Sequence, residues 1–190
     1  MVLGEIFKRN ARRYPDRIGI GYKETRLSFR ALNDRTNRLA NALKGLGLQR
    51  QDRVAIMADN CHQFVEAIGA CAKGGFILTS LSTKLQNELT AIVTNARPTA
   101  MIVSTNYLAK VKPDWDFIKH IISIGKWSEG VMDYEKLIAE YPADEPASSV
   151  EEDDILLLYY TSGTTSLPKG AALSHKAVLA NAVNTIFSRQ

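Results

Sequence analysis

A continuously apolar run, Ile155-Leu156-Leu157-Leu158-Tyr159-Tyr160, leads directly into Thr161-Ser162-Gly163-Thr164-Thr165-Ser166-Leu167-Pro168-Lys169-Gly170. Six successive apolar residues are typical of a strand buried on both faces, as the strands of parallel sheets are. A loop that follows such a strand lies at the carboxyl edge of the sheet, where open α/β sheets bind their ligands. These residues therefore predict an α/β fold with a ligand-binding loop at residues 161–170.

The residues upstream of this run alternate between strand and helix patterns, which favours an α/β sheet with right-handed crossovers. A stop signal at Gly45-Leu46-Gly47 ends one predicted helix, Asn60 is expected to cap the next, and Gly74-Gly75 ends it. Strands are predicted at 18–22, 26–29, 53–57, 76–78, 99–103 and 121–124, and helices at 3–14, 29–45, 61–73, 86–96 and 134–138. We predict an α/β subdomain at 1–141, a linker at 142–154, and the strand, loop and a following helix at 155–190.

Composition excludes several classes of protein. The 190 residues are 45% hydrophobic and 23% charged, which is typical of a soluble globular protein. No apolar run approaches the roughly 18 residues of a membrane-spanning helix, and no secretory signal is visible. Two cysteines, Cys61 and Cys71, do not make a disulfide framework or a zinc site, so we expect a cytoplasmic protein.

The N-terminal part of the chain is basic. Residues 1–53 hold 13 Lys and Arg against 5 Asp and Glu. No nucleic-acid-binding motif and no aromatic ladder accompanies these cations, so nucleic acid is not expected as a partner. Segment 3–14 is predicted to form a cationic amphipathic helix, so peripheral contact with a membrane surface is one interpretation. Docking of this helix on its own domain is the favoured interpretation.

The chemistry of residues 161–170 suits a polyphosphate. Glycine lets the backbone approach a phosphate closely, successive N–H groups form an anion-binding nest, and a lysine supplies a mobile positive charge. A Ser/Thr/Gly surface loop without a ligand is the alternative. The strand before it and the Pro168-Lys169-Gly170 after it favour the phosphate-binding interpretation. The P-loop NTPase motif is absent, because Pro168 stands where its second glycine would be.

At these residues the sequence resembles the adenylate-forming superfamily, which includes acyl-CoA synthetases, firefly-type luciferases and peptide-synthetase adenylation domains. The resemblance continues through Ala172-Leu173-Ser174-His175 and Asn181, and upstream through 26–33, 52–56 and 70–75, so it covers essentially the whole chain. It implies the N-terminal part of the acyl-CoA synthetase/luciferase-like fold, in the fatty-acyl and aryl-CoA ligase branch.

The reaction that the resemblance implies has two steps and uses ATP, Mg²⁺ and coenzyme A. A carboxylic acid, expected to be a fatty acid, becomes an acyl-adenylate, and the acyl group then passes to CoA. By the family pattern, Thr161 helps to hold magnesium, and the residues around the β- and γ-phosphates are Ser162, Gly163, Thr164, Thr165 and Lys169. No catalytic residue is assigned within the chain, and His175, expected at the start of the next helix, is given no role.

Two departures from the family pattern matter. Ser166 replaces the usual glycine, so we expect weaker or slower closure of the loop on a nucleotide. The adenine contacts, a magnesium-binding glutamate and the C-terminal domain of the family would all lie beyond Gln190. We therefore expect an N-terminal fragment of a ligase that is inactive by itself. The alternative is a nucleotide-binding or regulatory module that works alone without ligase activity.

Overall fold

The computed structural model describes residues 1–125, 130–147, 149–161 and 168–188. The predicted α/β class is confirmed, because strands and helices alternate along these residues. The bounds of the elements are α1 Leu3–Arg13, β1 Ile18–Tyr22, β2 Thr25–Ser28, α2 Phe29–Gly45, β3 Arg53–Met57, α3 His62–Gly74, β4 Ile77–Ser80, α4 Asn87–Ala96, β5 Ala100–Ser104, the 3-10 helix Thr105–Lys110, β6 His120–Ile124, β7 Met132–Asp133, α5 Tyr134–Ala139, β8 Ile155–Thr161, β9 Lys169–Ser174 and α6 His175–Phe187.

Two helix ends follow the glycine signals in the sequence, and one predicted helix cap does not. Gly47 (φ 90°) follows α2 and Gly75 (φ 80°) caps α3, both in the left-handed region that glycine adopts without strain. The predicted cap at Asn60 is wrong, because α3 begins one residue later and Cys61 occupies the cap position. The Cys61 side chain makes no capping hydrogen bond there.

Within the described residues, β1 and β2 form a hairpin and the other strands form one seven-stranded sheet in the order β7-β6-β5-β3-β4-β8-β9. All neighbours in the large sheet are parallel except β8 and β9, which are antiparallel. Strand β9 was not predicted from the sequence. The segments on either side of residues 142–154 therefore contribute to a single sheet.

The core lies on both faces of this sheet because strand side chains alternate. On one face, Val54 and Ile56 of β3 pack with helices α2, α3 and α5. On the other, Ala55 and Met57 pack with α4 and with Trp115. Strand β8 is less enclosed than its apolar run predicts, since Leu156 is fully buried whereas Tyr159 is 40% exposed.

Helix α1 packs on its own domain, as predicted. Leu3 packs against the core on the α2 and α3 face of the sheet. The ring of Phe7 lies so close to Gly69 of α3 that a Cβ added there would meet it at 2.9 Å. The apolar face of the cationic helix is thus already occupied.

Residues 141–147 run along α2 and are tied to it by side chains that lie on one face of the helix. Arg38 donates to the carbonyl of Tyr141 (2.5 Å), Asn37 to that of Ala143 (2.8 Å), and Asn41 to those of Pro142 and Asp144 (2.9 and 3.0 Å). Lys44 donates to the carbonyl of Ala147. Each of these bonds joins residues about a hundred positions apart, so only the folded chain brings them together.

None of the helices in the described part of the chain is both long enough and apolar enough to cross a membrane.

Candidate functional site

The loop singled out in the sequence connects β8 to β9 at the carboxyl edge of the sheet. Thr161, the last residue of β8, pairs with Lys169, the first residue of β9, and Tyr160 pairs with Gly170. Ser162, Gly163, Thr164 and Thr165 lie outside the described residues, and of Thr161 only the backbone is described. The structure therefore brings the two ends of the predicted phosphate loop directly opposite each other.

The base of this hairpin is held by the parallel sheet. Strand β8 pairs with β4 at Leu78–Leu157 and Thr79–Leu158. Because the two strands are parallel, the end of β4 at Ser80 and the start of the loop face the same edge. The loop is thereby placed on a rigid support, which is the arrangement that functional loops require.

Lys169 differs in position from the sequence-based expectation. The sequence predicts it within the loop, whereas it lies at the start of β9 with an exposed side chain. It forms no ion pair with a described residue. An ammonium group at the mouth of the loop that is not neutralised by a carboxylate suits the binding of an anionic ligand.

A cavity of about 370 Å³ lies beside the hairpin at the same edge of the sheet. Its lining combines polar side chains with apolar and aromatic ones. The lining residues include Ser80, Ser82, Glu88, Ile92, Tyr160 and Pro168. The lining residues from the β4–α4 region could not be predicted from the sequence, because they lie about 70–90 positions from the loop.

Tyr160 is fixed in this wall by a hydrogen bond. Its hydroxyl donates to Oδ1 of Asn95 in α4 at 2.6 Å. Burial raises the pKa of Tyr160 above its usual value, so the hydroxyl stays protonated and remains a donor. The bond joins the strand that leads into the loop to the helix on the neighbouring face.

His175 anchors the other end of the hairpin, where β9 passes into α6. The predicted position at the helix start is confirmed, and its side chain is fully buried. The backbone N–H of Leu3 donates to His175 Nδ1 at 3.1 Å, which requires a neutral ring with its proton on Nε2. Burial lowers the pKa of His175 and favours that neutral form.

Nearby, the N-terminal ammonium of Met1 pairs with Glu152 at 2.9 Å. This contact and the His175 bond tie the N-terminal segment to the base of the hairpin. Segments that are about 150 to 170 residues apart in sequence thus meet beneath the candidate loop.

A buried charged network surrounds Glu66, whose side chain is fully buried. Its carboxylate accepts hydrogen bonds from Arg35 Nε and from the hydroxyl of Tyr134, each at 2.7 Å. His62 Nδ1 lies 2.7 Å from the same carboxylate. His62 and Glu66 are four residues apart on one helix, and this spacing is the feature of the sequence from which their contact could have been predicted. The network joins α2, α3 and α5, and we assign it a structural role.

Among the described ranges, no group of three or more His, Cys, Asp or Glu side chains is arranged to hold a metal ion. Both cysteines are free thiols. Burial raises the pKa of Cys71 far above its usual value and that of Cys61 by less, so neither is an activated nucleophile.

Comparison with known proteins agrees with this geometry. Residues 7–190 match the family described as AMP-binding enzyme. An indoleacetate–CoA ligase of Aromatoleum aromaticum is 30% identical over 190 aligned residues, covering 98% of this chain and 37% of its own length. A peroxisomal butyrate–CoA ligase of Arabidopsis thaliana is 31% identical, covering 96% of this chain and 35% of its own.

Among solved structures, the anthranilate–CoA ligase AuaEII in complex with anthranoyl-AMP superposes with a TM-score of 0.88 at 26% identity. The superposition covers 93% of this chain and 35% of that protein. The described fold is therefore that of a part of an acyl-CoA ligase, and the chain spans somewhat more than a third of the length of these relatives. Since the family match extends over nearly all 190 residues, this chain belongs to the AMP-binding enzyme family.

Proposed function

We propose that this chain supplies the phosphate-binding hairpin of an ATP-dependent acyl-CoA synthetase. The observation that supports the proposal is the placement of the Thr161–Lys169 strand pair, with its hydroxyl-rich connection, at the carboxyl edge of the sheet. In this reaction a carboxylate oxygen attacks the α-phosphorus of ATP, and the bond to the bridging oxygen breaks to release pyrophosphate. The thiolate of CoA then attacks the acyl carbonyl and AMP leaves.

The residues of the loop act on the departing pyrophosphate. Negative charge accumulates on it as the bond breaks, so donors and cations placed around it lower the barrier. We assign this role to Ser162, Gly163, Thr164, Thr165 and Lys169. Lys169 contributes a positive charge from the start of β9, and the other four contribute hydroxyl and backbone donors.

The donor set also fits magnesium. Mg²⁺ prefers hard oxygen ligands and is commonly held by one or two protein oxygens together with substrate phosphates and water. The loop offers hydroxyl oxygens, and we assign one of them, that of Thr161, to the ion. When bound, Mg²⁺ would neutralise negative charge on the phosphates. Thr161, at the end of β8, is the residue that we propose orients the ion.

The proposed substrate is a monocarboxylic acid, with fatty acids as the first class to test. The relatives carry the names of ligases for indoleacetate and butyrate, and the related structure that of an anthranilate ligase, so aliphatic and aromatic acids are both represented. CoA is the proposed acyl acceptor. The two free cysteines agree with the reducing, cytoplasmic location that we propose.

Titration calorimetry of the 190-residue chain with Mg-ATP tests the nucleotide site. We expect binding that Lys169→Ala weakens about tenfold or more, because a hydrogen bond to a charged group contributes about 1.5–3 kcal/mol. Lys176→Ala, an exposed lysine seven residues further on, is the control and leaves the affinity unchanged. A flat titration at millimolar Mg-ATP would contradict the assignment.

Pyrophosphate release tests the ligase reaction. A longer protein that contains this chain is expected to release pyrophosphate when given ATP with a suitable acid and CoA. The 190-residue chain alone is expected to form no thioester, because it spans about a third of the length of its relatives. Failure of the longer protein across fatty and aromatic acids would refute the proposed activity.

A further inference from the structure

The outward face of α1 and the segment that follows it form a basic surface. It consists of six exposed cations, Lys8, Arg9, Arg12, Arg13, Arg17 and Arg30. At 100° per residue, the four on the helix fall within an arc of about 140°. Opposite this arc, the apolar side of the helix packs against α2 and α3.

Few carboxylates neutralise this surface. Arg30 pairs with Asp16 at 3.3 Å, with both side chains largely exposed. The other five cations form no ion pair within the part of the chain that the structure describes. Helix α1 itself carries one acidic residue, Glu5, which is exposed. Like charges four residues apart, as in Lys8 and Arg12, repel each other on a helix. Such an arrangement is stabilised by an anionic partner.

Two large hydrophobic side chains are exposed within the same surface. Tyr14 is 45% exposed and Ile18 is 59% exposed. Arg17 lies between them in sequence, and its guanidinium is 5.1 Å from the centre of the Tyr14 ring. The backbone N–H of Arg30 donates to the carbonyl of Pro15, so the start of α2 is held against this turn. Tyr14 is therefore in contact with a cation of this surface, and exposed Ile18 follows directly on Arg17 in the chain.

We propose that this basic surface docks on a bilayer that contains anionic phospholipid. The cations face the headgroups, while Tyr14 and Ile18 enter the interface between headgroups and acyl chains, where aromatic and apolar side chains are favourable. The exposed apolar pair favours a membrane over a nucleic acid, because phosphate contacts alone would leave Tyr14 and Ile18 in water. Docking in this way requires no unfolding of α1, whose apolar face stays in the core.

Sedimentation with vesicles tests the proposal. The 190-residue chain is expected to bind vesicles of phosphatidylcholine with 30% phosphatidylserine at 0.1 M salt and to be released at 0.5 M salt. The double variant Arg12→Gln/Arg13→Gln should bind about 25-fold more weakly, at about fivefold per cation. The control Lys84→Gln/Lys112→Gln removes two exposed cations elsewhere and should leave binding unchanged. Equal losses in both variants would overturn the proposal.

Two further measurements identify the partner and the apolar contact. Ile18→Ser, at a largely exposed position, should weaken vesicle binding severalfold without changing the circular dichroism spectrum. Tyr14→Trp should gain tryptophan fluorescence that brominated phospholipid quenches, beyond the signal of the unsubstituted chain. Binding to a 20-base-pair DNA duplex as tight as to vesicles, with no effect of Ile18→Ser, would assign the surface to nucleic acid and refute membrane docking. No binding to the anionic vesicles at 0.1 M salt would also refute it.

Discussion

Removing the carboxylate of Glu145 should destabilise the fold, because this group compensates a buried ammonium. Lys73, whose side chain is 3% exposed, donates to Oε1 and Oε2 of Glu145 at 3.0 and 2.9 Å and to Oδ1 of Asn33 and Asn37 at 2.6 Å each. Without Glu145 the ammonium keeps the two amide oxygens and loses the carboxylate that accepts from it at these distances.

The magnitude follows from burial. Breaking a fully buried ion pair by deleting one partner costs roughly 3–5 kcal/mol. The Glu145 side chain is 36% exposed, so solvent screens the pair, and Asn33 and Asn37 still accept from Lys73. We therefore expect Glu145→Ala to lower the free energy of unfolding by about 2 kcal/mol. With a denaturant dependence of about 2 kcal/mol per molar urea, the midpoint should fall by about 1 M.

Urea unfolding followed by circular dichroism measures the change. Asp144→Ala is the matched control, since it removes an exposed carboxylate from the neighbouring residue and should shift the midpoint by less than about a quarter of that amount. The double variant Lys73→Met/Glu145→Ala should lose less stability than the sum of the two single changes. If Glu145→Ala and Asp144→Ala shift the midpoint equally, the ion pair does not stabilise the fold and the reasoning is refuted.

Three other predictions follow from single groups. Burial lowers the pKa of His175, so its contribution to the free energy of unfolding should be constant above about pH 6.5 and fall as the pH drops below that value. The variant His175→Asn keeps an acceptor for the N–H of Leu3 and should remove this pH dependence. An unchanged dependence would contradict the assignment. In the native protein a thiol reagent should modify half-buried Cys61 slowly and leave fully buried Cys71 unmodified. Mass spectrometry measures the labelling, and rapid labelling of Cys71 would refute its burial. Ser166→Gly should tighten Mg-ATP binding severalfold in calorimetry, and weaker binding would show that serine is preferred there.

Much of the architecture could be predicted from local sequence patterns. Apolar runs, helical spacing and glycine stops located most of the strands and helices around the parallel sheet, because periodicity and backbone preference act within a few residues. The hydroxyl-rich run 161–170 and its flanks indicated both the family and the candidate loop. Strand β9 was missed because Lys169–Ser174 carries no alternation, and its strand conformation comes from pairing with β8.

Other features depend on residues that are far apart in the chain. Local patterns do not encode the strand order β5-β3-β4-β8, the bond from Leu3 to His175, or the partnership of Lys73 with Glu145. Each arises when the chain folds and brings segments about 25 to 170 residues apart into contact. The amphipathic pattern of α1 favoured docking on its own domain, and the tertiary structure identified α2 and α3 as the helices that receive it. The sequence by itself thus determined most of the elements and the chemistry of the loop. The tertiary structure decided which charges are buried and which face solvent, because burial depends on partners that no local pattern specifies.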